Sequence, residues 1–316
     1  MLFLLSIACQ QAPAPAVTPP SPAPPSAPAP AEDAPPAPPR IEVPAPADLG
    51  LPPPGPSTVL AVGDLHADLD NAEATLRLLG VIDQDGHWAA GRATFVQTGD
   101  TTDRGPDSRP IMALLRQLQP EAQAAGGRVV ALLGNHEVMN LQGDLRYVHP
   151  GDVATYGGPD QRRAALGPTG EDGRWLRGLD AVAVVDGTVF VHGGVHPRTA
   201  ALGVDDINEL VRAGIDGDEP PLGTDGPLWF RGYVNDPEPS ACPLLSEALA
   251  SMGARRMVVG HTTRRDGKIQ TRCGGALTVI DIGIADHYGG HLGGWRADDG
   301  DAVAVYPSGT VDLPDP

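Results

Sequence analysis

The chain has 316 residues, of which 22 are Lys or Arg and 40 are Asp or Glu, giving a formal net charge of −18 at pH 7. Proteins that bind the phosphate backbone of nucleic acids usually carry a basic patch, because neutralising the phosphates releases condensed counterions. The arginines here form only isolated pairs, for example Arg162-Arg163 and Arg264-Arg265. The composition therefore excludes nucleic acid as a principal partner, while the 41% of hydrophobic residues are enough for a sizeable core.

The first nine residues form a short apolar segment that ends in small residues followed by Cys9. The segment is too short to span a bilayer, and it resembles the end of a bacterial lipoprotein signal, in which the cysteine receives a lipid. No Lys or Arg precedes the apolar run, so a frayed apolar terminus is the alternative. We predict a signal at residues 1–9 and a lipid on Cys9, which would place the protein in the cell envelope or periplasm. The alternative location is the cytoplasm.

Proline and alanine dominate residues 10–56, with almost no aromatic or β-branched side chains. Such a segment buries too little apolar surface to offset the entropy lost on ordering, and it is typical of an extended polyproline-type spacer. We therefore predict a disordered linker over 10–56 and one folded domain over 57–316. The domain contains Cys242 and Cys273, and the sequence leaves open whether they form a disulfide or remain two reduced thiols.

Short aliphatic and β-branched runs recur along the domain and are typical of buried strands. Five of them, each with a glycine and polar residues close behind, begin at Thr58, Thr94, Arg128, Thr188 and Arg256. Helical patterns lie at 68–79, 107–125, 200–213 and 244–252. Further runs at 277–280 and 302–306 predict strands of a second sheet. We predict an α/β fold, a two-sheet β-sandwich flanked by helices, with its site beyond the carboxyl ends of the strands.

The polar residues behind the five strands have the identities that a pair of metal ions requires. They are Asp64, His66, Asp100, Asn135, His192 and His261. Carboxylate, amide and imidazole ligands together suit manganese, iron or zinc. Asp100 is predicted to bridge the two ions, with Asp64 and His66 on the first and the other three residues on the second. Two ions about 3.5–4 Å apart supply the charge neutralisation and the hydroxide that phosphate-ester hydrolysis needs.

Further polar residues are predicted to act on the substrate. His136 directly follows Asn135, so it does not easily bind the same ion, and it is better placed to protonate the leaving oxygen, with Asp103 orienting it. Arg104 offers a fork of donors to phosphate oxygens. Arg231 lies among aromatic residues and is predicted as a second phosphate ligand. Asn135 is predicted to contact the substrate as well as a metal ion.

Five blocks of sequence carry these residues. They are Gly63-Asp64-Leu65-His66, Gly99-Asp100-Thr101-Thr102-Asp103-Arg104-Gly105, Gly134-Asn135-His136-Glu137, Val191-His192-Gly193-Gly194 and Gly260-His261. Together they resemble the calcineurin-like metallophosphoesterases, specifically the phosphoprotein phosphatase branch. The wider context, including Val138-Met139-Asn140-Leu141 and Asp281-Ile282-Gly283-Ile284, is similar to the Shewanella-like bacterial protein phosphatases.

The resemblance covers essentially residues 58–295. It implies a two-sheet sandwich with a dinuclear site, filled by manganese or by iron with zinc, and hydrolysis of phosphomonoesters, often phosphoproteins, by a bridging hydroxide. Ala67 stands where the family usually has glycine. The Ser-Ala-Pro-Asn-Tyr segment of eukaryotic Ser/Thr enzymes is absent from the sequence, so their substrate preference is not carried over.

We therefore predict a metal-dependent phosphomonoester hydrolase whose substrates are phosphorylated proteins or small phosphomonoesters. It is expected to be a monomer and to contact a membrane only through a lipid on Cys9. One alternative is hydrolysis of dinucleoside polyphosphates or phosphodiesters, which the same ligands support. Another is an envelope-tethered protein that binds phosphorylated ligands without cleaving them, although such a protein has no need of the proton donor His136.

Overall fold

The computed structural model describes residues 41–316. The signal predicted at 1–9, with Cys9, and the part of the predicted linker at 10–40 lie outside the described residues. Within 41–316, no helix combines the length and the apolar character needed to cross a membrane.

The predicted end of the linker, at residue 56, is wrong, because residues 41–56 pack on the folded domain. They include a 3-10 helix, Pro46–Leu49, and the side chains of Val43, Leu49 and Leu51 pack against the hydrophobic core. The prediction of disorder is wrong for this stretch. Its proline-rich composition concealed a few aliphatic side chains that bury apolar surface on the folded domain.

Eleven strands form two sheets in the described part of the chain. They are β1 (Thr58–Val62), β2 (Thr94–Gln97), β3 (Arg128–Ala131), β4 (Val182–Val185), β5 (Thr188–Val191), β6 (Arg256–Val259), β7 (Gln270–Arg272), β8 (Leu277–Val279), β9 (Gly294–Asp298), β10 (Asp301–Tyr306) and β11 (Gly309–Asp312). The first sheet has the order β11-β10-β9-β1-β2-β3, and β1, β2 and β3 run parallel. The second has the order β4-β5-β6-β8-β7, and β5, β6 and β8 run parallel. Two sheets flanked by helices confirm the predicted α/β sandwich.

One strand lies in a different sheet from the one expected. The run at 302–306 forms β10, but β10 pairs antiparallel with β9, and β9 pairs antiparallel with β1 of the first sheet. Of the two late runs, only β8 joins the second sheet. The local pattern indicates a strand but not its partner, because pairing depends on side chains that are distant in sequence.

Ten helices flank the sheets in the described residues. They are α1 (Leu69–Leu79), α2 (Ser108–Ala125), α3 (Asn135–Leu141), α4 (Pro150–Thr155), α5 (Pro159–Leu166), α6 (Glu171–Arg177), α7 (Pro197–Ala200), α8 (Val204–Gly214), α9 (Gly232–Asn235) and α10 (Glu238–Ser251). The helices predicted at 68–79 and 107–125 are confirmed as α1 and α2. The one predicted over 200–213 is divided into α7 and α8 at Gly203, whose φ of 87° is left-handed. The one predicted over 244–252 begins earlier, at Glu238, and contains Pro243.

Side chains of the strands alternate between two cores, as the period of a β-strand requires. In β1, Val59 belongs to a cluster that also contains Phe190 and Val258 of the second sheet, whereas Leu60 belongs to the cluster that includes the helices. The ring of Phe190 meets that of Trp295 across the two sheets, with centroids 5.6 Å apart. The two sheets are thus joined face to face.

Cys242 in α10 and Cys273 beside β7 form a disulfide bond. Of the two states that the sequence left open, the structure has the oxidised one. The bond ties α10 to the edge of the second sheet. Arg272, next to Cys273, donates hydrogen bonds to backbone carbonyls in and just after α9, so the same region also fixes the segment that follows Arg231.

Candidate metal centre and active site

The structure brings the predicted metal ligands to one edge of the sandwich. They are Asp64 and His66 after β1, Asp100 after β2, Asn135 after β3, His192 after β5 and His261 after β6. Within each sheet these strands run parallel, so their carboxyl ends lie at the same edge. All six residues are buried, none more than 6% exposed.

The loops that carry these residues have unusual backbone conformations. Positive φ angles occur at His66 (43°), Asp100 (55°), Asp103 (70°) and His261 (65°). This left-handed region costs a residue with a side chain about 1–2 kcal/mol. At Gly134, an added Cβ would lie 2.1 Å from Asp100 Oδ1, so only glycine allows the two loops to approach. Backbone strain of this kind clusters at functional sites.

Asp100 lies at the centre of the cluster. Its Oδ2 is 3.3 Å from His192 Nε2 and 3.8 Å from His66 Nε2. Asp64 Oδ2 is 3.7 Å from His66 Nε2, and the two Asp64 oxygens accept hydrogen bonds from the backbone N–H of His261 at 3.1 and 3.2 Å. Residues that are far apart in the sequence therefore meet at one point.

Two groups of ligand atoms share Asp100. One comprises His66, Asp100 and His136, and the other comprises Asp100, His192 and His261. Within each group the atoms lie within 4.8 Å of one another. Both groups are candidate cation sites, and they have one carboxylate in common. The first group contains His136, to which the sequence analysis assigned proton transfer instead.

Hydrogen bonds to backbone carbonyls fix the tautomers of two histidines. Carbonyl oxygens only accept, so His66 Nδ1 donates to Thr102 O at 3.1 Å and His192 Nδ1 donates to Thr98 O at 3.0 Å. The Nε2 lone pair of each ring is left for the cluster, next to the carboxylate of Asp100. Acceptor atoms that face one another without a hydrogen between them fit a bound cation.

Burial sets the charges of the cluster. It lowers the pKa of His66 to about 3 and that of His261 to about 2, so both rings are neutral ligands at neutral pH. Burial raises the pKa of Asp64, and the charges of Asp281 and Asp100 raise it further. Burial acts in the same direction on Asp100, but the surrounding histidines outweigh it and hold the pKa of Asp100 well below its usual value.

Asp281 is an acid of this cluster to which the sequence analysis gave no role. It is 1% exposed, and burial raises its pKa. Its carboxylate accepts a hydrogen bond from the backbone N–H of Gly283 at 3.1 Å. Asp281 follows β8 as Asp64 follows β1, two residues after the strand ends, and this position was the signal that could have found it.

Glu137 joins the loops that hold the ligands. Its carboxylate accepts hydrogen bonds from the backbone N–H groups of Gly134, Asp100 and Thr101, each at 2.8 Å, and of Thr102 at 3.1 Å. The loops after β2 and β3 are thereby tied to one buried side chain. Glu137 stands in one of the five sequence blocks, but the sequence alone did not predict this role.

His136 and Asp103 form a buried pair beside the cluster. His136 Nδ1 donates to Asp103 Oδ2 at 2.6 Å, and His136 Nε2 lies 3.8 Å from Asp100 Oδ2. Burial would lower the pKa of His136, but the charges of Asp100 and Asp103 outweigh it and raise this pKa above its ordinary value. The ring is therefore suited to carry a proton next to the metal ligands.

The two predicted phosphate-binding arginines line the same cleft as the cluster, a cavity of about 800 Å³. The guanidinium of Arg104 lies 3.9 Å from the ring centroid of Tyr147 and 5.9 Å from that of Tyr288. Arg231 donates a hydrogen bond to the backbone oxygen of His261. The two tyrosines, to which the sequence analysis gave no role, form aromatic walls. All ten predicted site residues thus lie in or directly beneath this cleft.

Comparison with known proteins gives consistent matches. Residues 57–263 match the family model described as calcineurin-like phosphoesterase. An uncharacterized protein of Schizosaccharomyces pombe is 36% identical over 79% of this chain and 80% of its own. Shewanella-like protein phosphatase 2 of Arabidopsis thaliana is 31% identical over 73% of this chain and 72% of its own. A solved structure, the cold-active protein-tyrosine phosphatase of a psychrophilic Shewanella species, has a TM-score of 0.73 and 28% identity, covering 83% of this chain and 82% of that one.

These matches confirm the resemblance that the five sequence blocks indicated. Members of the family typically bind two metal ions, and the His and Asp groups around Asp100 are candidate ligands for them. The family also indicates a hydrolase with phosphorylated substrates. The sequence blocks, the fold and these matches together show that the chain belongs to the calcineurin-like phosphoesterase family.

Proposed function

We propose that this protein is a metal-dependent phosphomonoester hydrolase that acts on phosphorylated proteins. The observation that carries the proposal is the buried Asp103–His136 pair, which adjoins the acidic cluster in a cleft lined by Arg104 and Arg231. A cation site alone would serve binding as well as hydrolysis. A positioned proton donor is useful only when a leaving group departs as an oxyanion.

The proposal also requires two metal ions, which the cluster around Asp100 would hold. The residues that would hold them are Asp64, His66, Asp100, Asn135, His192 and His261. Their mixture of oxygen and imidazole ligands favours manganese, or iron with zinc. When bound, such ions neutralise charge on the phosphoryl group and lower the pKa of a water molecule.

The side chains of the cleft have distinct roles in the proposed reaction. Arg104 and Arg231 bind the phosphoryl oxygens through their N–H donors, and Asn135 lies beside them. These contacts hold the phosphorus with its leaving oxygen towards His136. A bond forms from a water oxygen to phosphorus while the bond to the leaving oxygen breaks, and His136 Nε2 gives its proton to that leaving oxygen. The attacking water loses a proton to solvent, and His136 takes up a proton from solvent before the next turnover. Asp103 accepts from Nδ1 and so leaves Nε2 as the donor.

The relatives support a phosphoprotein as the substrate. The Arabidopsis relative is named a protein phosphatase, and the Shewanella structure is named a protein-tyrosine phosphatase. Tyr147 and Tyr288 line the cleft, and aromatic walls can pack against the phenyl ring of a phosphotyrosine. Phosphotyrosine peptides are therefore the first substrates to test, with phosphoserine and phosphothreonine peptides beside them.

A substrate panel tests the proposal. Metal-depleted protein is reloaded with manganese, or with iron and zinc. Phosphate release is measured from p-nitrophenyl phosphate and the phosphopeptides, p-nitrophenol release from bis-p-nitrophenyl phosphate, and nucleotide products from diadenosine polyphosphates. We expect metal-dependent release from the monoesters. Cleavage of the diester or the polyphosphates alone would establish the alternative hydrolase. Binding of phosphopeptides without release, whatever the metal, would establish a binding protein.

We also propose that the protein is a monomer in the cell envelope or periplasm, anchored by a lipid on Cys9. The bond between Cys242 and Cys273 supports an oxidising compartment, because structural disulfides are rare in the cytosol. Processing that is blocked by globomycin, together with loss of anchoring in Cys9→Ala, would agree with this location. Recovery from the cytoplasmic fraction with two free thiols would contradict it, and sedimentation velocity checks the monomer.

A further inference from the structure

A buried network runs from the helical layer to His136. It comprises Asp152, Arg162, Asn140 and Asp103, which are 0%, 4%, 5% and 0% exposed. Asp152 lies in α4, Arg162 in α5 and Asn140 in α3, and Asp103 lies in the loop after β2. The proposed reaction gives a role only to Asp103, so the other three residues are unexplained by it.

The guanidinium of Arg162 holds the carbonyl end of the Asn140 amide. Arg162 Nη2 donates to Asn140 Oδ1 at 2.7 Å, and Arg162 Nε donates to Asp152 Oδ2 at 2.8 Å. A guanidinium has donors and no acceptor, so it pairs only with the carbonyl end of an amide. The Nδ2 end of Asn140 must therefore point the other way.

That Nδ2 atom holds the carboxylate of the catalytic pair. It donates to Asp103 Oδ1 and to the backbone oxygen of His136, both at 2.9 Å. The second oxygen of Asp103, Oδ2, accepts from His136 Nδ1 at 2.6 Å. The carboxylate is thus fixed between an amide and an imidazole. If the amide of Asn140 turned over, its oxygen would face the carboxylate, and two acceptors would meet with no proton between them.

We propose that Arg162 is a positioning residue for His136, acting through Asn140 and Asp103. The inference rests on the proposed function, because it requires His136 to donate a proton to the leaving oxygen. A ring that is held loosely is aligned with that oxygen for less of the time, so proton transfer slows. Substrate binding at Arg104 and Arg231 is unaffected. The expected defect is therefore in kcat, and only for leaving groups that need a proton.

A pair of double variants isolates this role. Arg162→Met with Asp152→Asn removes the guanidinium without leaving a buried carboxylate unpaired. The matched control is Arg116→Met with Asp172→Asn, which removes an ion pair of 2.6 Å between α2 and α6. Neither control residue hydrogen-bonds to the network. Circular dichroism and metal content establish that both double variants are folded and loaded.

Two substrates separate loss of positioning from general damage. Phenyl phosphate has a leaving group that needs a proton, whereas 2,4-dinitrophenyl phosphate has one that does not. In Arg162→Met/Asp152→Asn we expect kcat for phenyl phosphate to fall about 10-fold or more, a part of what a general acid supplies. We expect KM for both substrates and kcat for the dinitrophenyl ester to stay close to wild type. Equal losses on both substrates, or no loss on either, overturn the proposal.

A second measurement needs no turnover. In metal-free protein, the Nδ1 proton of His136 in its short hydrogen bond to Asp103 should give a downfield resonance in the ¹H NMR spectrum, assigned by its absence from His136→Ala. We expect this signal to broaden or disappear in Arg162→Met/Asp152→Asn and to persist in the Arg116→Met/Asp172→Asn control. An unchanged signal in both double variants overturns the role of Arg162.

The activity of the wild-type protein shows whether the proposed function fails or only the role of Arg162. If it releases no phosphate with any metal, the proposed function and the role of Arg162 are both overturned. If it is active and the ratio of its two kcat values is the same in Arg162→Met/Asp152→Asn, only the role of Arg162 is overturned.

Discussion

Two buried polar regions of this molecule hold their charges in opposite ways. At the edge of the sandwich, Asp64, Asp100 and Asp281 are 2%, 2% and 1% exposed. No lysine or arginine among residues 41–316 forms an ion pair with any of them, and the ionisable partners of Asp64 and Asp100 within 4 Å are histidines. In the helical layer, Asp152 is 0% exposed, but its carboxylate accepts a hydrogen bond from the guanidinium of Arg162 at 2.8 Å.

The difference lies in where the positive charge comes from. Removing a carboxylate from water is costly unless a cation accompanies it. Asp152 has its cation within the chain, so this pair is complete by itself. At the sandwich edge, His66 and His261 are neutral at neutral pH because burial lowers their pKa values. The pKa of His136 is raised, but one imidazolium does not balance three carboxylates, so further positive charge is expected from bound cations. One region positions its neighbours, and the other is suited to bind cations.

Asp100→Asn should cause the largest loss, because it removes the oxygen shared by both ligand groups. Bound metal ions stabilise such transition states by several kcal/mol, so phosphate release from p-nitrophenyl phosphate should fall by about 10³-fold or more. Metal content, measured by mass spectrometry of the purified protein, should fall as well. Asp152→Asn is the matched control and should keep its metal. An Asp100→Asn variant with full metal content and turnover would show that the edge cluster is only structural.

His136→Ala should remove most of the activity while the metal stays bound. A positioned general acid contributes about 10²–10⁴-fold, so phenyl phosphate hydrolysis should fall within this range at unchanged metal content. His87→Ala, at a largely exposed histidine, is the control and should behave as wild type. Joint loss of metal and activity would instead make His136 a ligand, in agreement with its place in the first ligand group.

Arg162→Met should lower stability, because it leaves Asp152 buried without its cation. Breaking a buried pair in this way costs about 3–5 kcal/mol in the free energy of unfolding, which urea unfolding measures. Adding Asp152→Asn should recover most of the loss. Asp100→Asn in metal-free protein should show no comparable loss, since no arginine or lysine is left unpaired. A change below about 1 kcal/mol in Arg162→Met, the size typical of exposed pairs, would remove the contrast between the two regions.

The edge cluster could be predicted from the sequence because its information is local. Each ligand stands directly behind a short strand, and β1, β2, β5 and β6 have the bounds that their β-branched runs indicate. The residue types at these positions, which are carboxylates, an amide and imidazoles, then predict a metal site. Ala67 occupies a position where the family usually has glycine, and its φ of 55° shows that the backbone there is glycine-like nevertheless.

The helical layer could not be predicted in the same way. Arg162 and Asn140 are 22 residues apart in the sequence, and no pattern around either residue indicates that their side chains meet. The sequence likewise placed β10 in the wrong sheet, because its pairing depends on strands that are distant in sequence. At residues 41–56, a composition averaged over a long segment concealed the few aliphatic side chains that pack on the domain. These features depend on tertiary contacts, which override local propensity.

Asp103→Asn should give a smaller loss of activity than Asp100→Asn or His136→Ala, together with a shift in the pH profile. The negative charge of Asp103 helps to raise the pKa of His136 against the effect of burial. The protonated donor form therefore persists to higher pH, and the rate should decline as pH rises through that pKa. An amide at position 103 removes the charge, so this alkaline decline should move to lower pH, and kcat at the optimum should fall about 10–100-fold, as for other residues that orient a reacting group. The measurement is the turnover of phenyl phosphate across the range of about pH 5–9. Metal content is checked throughout. An unshifted decline with unchanged kcat would show that the charge of Asp103 does not act on the ring, and that the network orienting it is only a part of the fold.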